Sequence, residues 1–174
     1  MRLSKIVAVI LLCATTLTFA PAARAARPSQ KTRAKAQTPA PQTEITKEKI
    51  EAIISSLEEA AKKKEVAVFA AHLAPDMKYK SQTGNNPVLN LSRTQYLEAM
   101  KRGFELALDY VYLRKSLTIT ITPDGQSATA HTETYEMLTM EQGTLAGHAV
   151  GLTTFKIYKG KILIDSVESI NTPV

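Results

Sequence analysis

Two carboxylates and a set of threonines are the side chains best placed to meet. Thr132, Thr134 and Glu136 recur at every second position, so an extended chain would point all three to one face. Thr153 shares such a face with Leu145, Ala149, Gly151 and Phe155 on a later run, and Asp165 faces the same way on a third run unless a bulge flips it. Glu136 and Asp165 are therefore the carboxyl groups expected at a pocket. There, desolvation would raise a carboxyl's pKa and make it a better base or a hydrogen-bond donor.

Metal and thiol chemistry find little support. His72, His131 and His148 show no helix or hairpin spacing suited to a metal, so no metal site is expected. Cys13 is the single cysteine and falls in the N-terminal apolar segment, so neither a disulfide nor a thiolate nucleophile is expected of the folded part. No cofactor is implied.

The elements that must position these residues follow from periodicity. Thr46 caps a first helix, with Ile45 and Ile50 as its staple and Ile53, Ile54, Leu57 and Ala61 along one face. A short second helix brings Val66, Phe69, Ala70 and Leu73 inward and stops at Pro75. Met77 to Gln82 alternates as a short strand, and Gly84 to Pro87 is a loop. Ser92 and Gln95 form a capping box for a third helix carrying Tyr96, Met100, Phe104 and Leu108. From Tyr110 the period becomes two, and turns at Pro123–Gly125, Glu141–Gly143 and Lys159–Gly160 separate four strands. Three helices followed by an antiparallel meander predict an α+β domain over residues 45–174.

The N-terminal part has a different character. Residues 1–25 read as a signal peptide: Arg2 and Lys5 precede an apolar run, and Ala23 and Ala25 suit cleavage before Ala26. The run is shorter than the roughly 20 residues that span a bilayer, so no stable membrane anchor is expected after cleavage. A periplasmic or secreted location follows. Residues 26–44, rich in Pro, Ala, Gln, Thr and Lys, lack large apolar side chains and are expected to be a disordered linker. The charge of +6 resides outside the domain. Of 22 basic residues three lie in the signal and four in the linker, leaving 15 against 15 acidic residues from Ile45 onward. Nucleic acid is therefore not an expected partner.

Two stretches carry a family resemblance. Glu65-Val-Ala-Val-Phe-Ala-Ala-His-Leu-Ala-Pro-Asp76 resembles the short second helix of the nuclear transport factor 2-like superfamily, and Phe155-Lys-Ile-Tyr-Lys-Gly-Lys-Ile-Leu-Ile164 resembles its last hairpin. The likeness covers residues 45–171 and implies a cone: a curved sheet wrapped on three helices, with a pocket between them. The superfamily includes ketosteroid isomerases, scytalone dehydratase, polyketide cyclases and many exported proteins. The three catalytic positions of the ketosteroid isomerases fall on Leu57, Ser81 and Thr153 here. Leucine cannot donate to an oxyanion, and an unassisted serine is a weak base near neutral pH. That machinery is replaced.

The resemblance and the residues together predict a binder of a small apolar molecule more readily than an enzyme. Ser81, Thr134, Glu136, Thr153 and Asp165 are its expected ligand-binding residues. Two alternatives stand beside it: a lyase or isomerase using Glu136 or Asp165 as base, and a protein-interaction module. For the latter, Val150 and Leu152 on the outer sheet face would form a homodimer interface.

Overall fold

The computed structural model describes residues 44–174; the expected signal peptide and all but the last residue of the expected linker lie outside the described residues. Three helices, α1 (Lys47–Lys62), α2 (Val66–His72) and α3 (Arg93–Leu106), pack on a curved, open sheet of six strands. The strands are β1 (Leu73–Thr83), β2 (Leu89–Ser92), β3 (Asp109–Ile121), β4 (Ser127–Met140), β5 (Gly143–Tyr158) and β6 (Lys161–Pro173). Their order across the sheet is β2-β1-β6-β5-β4-β3, an α+β cone.

Local signals set most element ends. Thr46 Oγ1 accepts from the Lys49 amide at 3.4 Å, while Ile45 and Ile50 are both buried in the core beneath it. Ser92 and Gln95 close a reciprocal capping box at α3. Lys159 and Gly160 both adopt positive φ, 50° and 77°, as a two-residue turn matched to strand twist requires, and the second position suits glycine.

Two expectations change. The sheet is not wholly antiparallel: β1 pairs with β6 in parallel, Tyr79 opposite Val167 and Ser81 opposite Ser169. α3 carries the chain from the β2 edge to the far edge, so the β3–β6 meander returns to β1 running in the same direction. β1 also begins earlier than Met77. α2 ends at His72 and Leu73 is already extended, because a residue preceding proline disfavours the helical region and Ala74 precedes Pro75. Pro75, which has no amide to donate, sits in the irregular stretch where the β1–β6 register slips. Between the Gly84–Pro87 loop and α3, Leu89–Ser92 pairs with β1 as a short edge strand.

The core forms two clusters. One joins α1 to the sheet through Ile50, Ile54, Met77, Phe155 and Ile164; the other joins α1 and α3 to β3 and β4 through Ala61, Met100, Phe104, Tyr110 and Leu138. Members of both clusters line one cavity.

Candidate functional site

That cavity has a volume of about 200 Å³ and lies between the helices and the concave face of the sheet. Its walls are mainly apolar and aromatic. Leu57 and Ile54 come from α1, Phe69 from α2, and Tyr96, Met100 and Phe104 from α3. Phe104 meets Tyr110 edge-on with centroids 5.9 Å apart, and Tyr96 stacks on Tyr79 at 4.8 Å, so the aromatic walls brace one another.

Glu136 is the carboxyl that the sheet contributes to this cavity. Strand alternation points it inward with Thr132 and Thr134, and all three line the space. The Tyr110 hydroxyl donates to Oε2 at 2.8 Å, and Thr134 Oγ1 lies 3.5 Å from Oε1. Burial raises the Glu136 pKa above its ordinary value; the hydrogen bonds from Tyr110 and Thr134 pull it down and do not prevail. The same burial, with the Glu136 charge nearby, pushes the phenols of Tyr110 and Tyr112 up. Glu136 makes no ion pair among the described residues.

The other expected residues fare differently. Thr134 and Thr153 line the cavity, as does Leu57. Ser81 is buried beyond its wall, where its hydroxyl accepts from Asn171 Nδ2 at 2.8 Å and from Ser169 Oγ at 3.1 Å. It supports the wall without forming its surface. Asp165 does not reach the cavity. It is the extra residue of a bulge, since Thr154 pairs with Ser166 while Phe155 pairs with Ile164. Its carboxylate instead accepts from the Tyr158 hydroxyl and pairs with Lys156 at 2.7 Å. Partial burial opposes ionisation there, yet those hydrogen bonds outweigh it and hold Asp165 below the usual aspartate value.

A second polar wall escaped the sequence reading. Ser169 and Asn171 of β6 line the cavity opposite Thr132 and Thr134. The signal was present: Val167, Ser169 and Asn171 alternate with Ser166, Glu168 and Ile170 along β6. Glu58 was also missed. It reaches the cavity from α1 and faces Arg114 Nε at 3.2 Å, and both side chains are mostly buried. The histidines lie apart: His131 and His148 are exposed on the outer face, the latter against Tyr135. No group of three or more metal-ligating side chains occurs among the described residues.

No family model matches the sequence, and no curated protein matches it. Solved structures do. A nuclear transport factor 2-like protein of unknown function from Pseudomonas putida superposes with a TM-score of 0.59 at 14% identity, covering 71% of this chain and 84% of that one. A Caulobacter vibrioides protein with a cystatin-like fold gives 0.56 at 19%, covering 72% and 87%. The domain has the nuclear transport factor 2-like fold. Hexachlorocyclohexane dehydrochlorinase LinA-type3 from Novosphingobium barchaimii shares this fold too, with a TM-score of 0.57 at 11% identity over 72% of this chain and 87% of that one. The fold thus hosts an enzyme as well as proteins of unknown role, and function rests on the site.

Proposed function

We propose that this is an exported small-molecule-binding domain whose cavity takes a compact, largely apolar ligand, anchored by Glu136. One observation carries the reading: a carboxyl, paired with no cation among the described residues and held by Tyr110 and Thr134, stands in an aromatic-walled cavity. Burial favours its neutral form, which donates as well as accepts, so it suits a neutral carbonyl or hydroxyl. The apolar walls supply most of the affinity at about 25 cal/mol per Å² buried, before association costs. The isomerase positions occupied by Leu57, Ser81 and Thr153 support binding over catalysis.

The test is native mass spectrometry of protein recovered from the periplasm or medium. A bound neutral compound on a chain beginning at Ala26 is the expected result. A ligand-free, full-length chain held in the membrane counts against both parts.

A second reading has its own support. The raised pKa that suits Glu136 to neutral ligands also makes it a stronger base, and a relative in fold is a dehydrochlorinase. Under that reading the domain is a lyase or isomerase with Glu136 as base. Glu136→Gln separates the two: a binder keeps its ligand within about tenfold, and an enzyme loses turnover by about a hundredfold or more. We also infer a homodimer through the outer sheet face, where Val150, Leu152 and Ile170 are exposed side by side.

A further inference from the structure

The floor of the cavity is a trough with two unlike polar walls. Ala149 and Gly151 on β5 raise nothing taller than a methyl group into the space. Thr132 and Thr134 flank them on β4, and Ser169 and Asn171 flank them on β6, in register: Thr134–Ala149–Asn171 and Thr132–Gly151–Ser169. Neighbouring strands lie about 4.8 Å apart, so the two walls stand roughly 10 Å apart at the backbone. A Cβ at position 151 would stand 3.0 Å from Thr132 Oγ1, a tight contact that the Thr132 side chain would have to turn to relieve.

The walls differ in what they offer. On the β4 side the Glu136 carboxyl stands beyond Thr134. On the β6 side, Asn171 commits its Nδ2 to Ser81, and Ser169 is bonded to Ser81 and Tyr79. None of these bonds uses the Asn171 Oδ1. That wall is fixed from behind by β1, so little ordering is needed when a ligand arrives.

Granting that the cavity binds a small molecule, we propose that the ligand's polar head lies across β5 between these walls. The domain then selects a single compact ring carrying oxygen functions at opposite positions. A carbonyl at one end meets Glu136, a hydroxyl at the other donates to Asn171 Oδ1, and the ring lies on Ala149 and Gly151. A volume of about 200 Å³ is small beside the roughly 300–1,000 Å³ of drug-sized sites. It fits one ring and excludes a fused polycycle.

Acetophenone and 4-hydroxyacetophenone, titrated calorimetrically into the full chain, test this. The added hydroxyl should tighten binding by about fivefold to tenfold, the return of one net hydrogen bond. Asn171→Ala should erase that gain while acetophenone still binds. Ala149→Val, which breaks no hydrogen bond and fills the floor, should weaken both probes by more than about tenfold with the melting temperature kept; it decides the matter if Asn171→Ala fails to fold. Equal affinity for both probes, or Ala149→Val binding both as well as wild type, overturns the trough and leaves the binding reading standing. If neither probe binds the wild-type chain, both readings fall.

Discussion

The Tyr110 hydroxyl reaches Oε2 of Glu136 on a diagonal across the β3–β4 ladder: Tyr110 pairs with Leu138, and Glu136 with Tyr112, yet the two side chains meet at 2.8 Å. The contact favours ionised Glu136, whereas burial favours the neutral form and prevails. Folded chains therefore hold this proton at pH values where unfolded chains have released it. Stability from this group is fully present below the ordinary glutamate value of 4.5 and is lost as pH rises through the raised folded value. Melting temperature against pH should show that fall in the wild type and not in Glu136→Gln. Superimposable profiles would refute it.

Tyr110→Phe removes the donor while keeping the ring against Phe104. It should cost about 1 kcal/mol, the net value of one hydrogen bond. It should also move the pH-dependent fall upward, since the lost bond favoured the charged carboxylate. Denaturant titrations at several pH values read both effects. A downward move would contradict the assignment.

Phe104 is 5% exposed and joins α3 to α2 through Phe69 and to β3 through Tyr110. Phe104→Ala should cost about 3–5 kcal/mol. Because Phe104 also lines the cavity, the variant should accept bulkier ligands than the wild type. A loss below about 0.5 kcal/mol, usual at surface sites, would exclude a core role.

Glu58 and Arg114 form a mostly buried pair, 17% and 28% exposed, whose Glu58 Oε1 and Arg114 Nη1 lack hydrogen-bond partners among the described residues. Glu58→Ala strips the guanidinium of its counter-charge and should cost about 1–3 kcal/mol. By contrast, Lys101→Ala, breaking an exposed pair with Glu105, should leave thermal unfolding unchanged. Equal responses of the two variants would show that burial does not distinguish the pairs.

Val150 pairs with Ile170 on the outer face, and Leu152 follows two residues on; their exposures are 40%, 62% and 40%. If this face joins two copies, sedimentation should find a dimer in the wild type and a monomer in Leu152→Glu. A wild type that sediments as a monomer at high concentration sinks the homodimer.

How far the sequence reaches is clearest residue by residue. Helix caps at Thr46 and Ser92, the inward face of β4 and β5, and the turn at Lys159–Gly160 are local matters, set by side chains within a few positions of one another. The pocket positions of Thr134, Glu136 and Thr153 follow from strand parity alone. Parity fails wherever one residue is added. The bulge at Asp165 turns that carboxylate away from the cavity to Tyr158 and Lys156, and no local pattern marks it. The parallel pairing of β1 with β6 joins residues such as Ser81 and Asn171, 90 positions apart, and so only the closed fold makes Ser81 a buried acceptor and Asn171 a cavity wall. Periodicity names the face a side chain takes; long-range pairing names what it faces there, because that depends on chain return and not on neighbours in sequence.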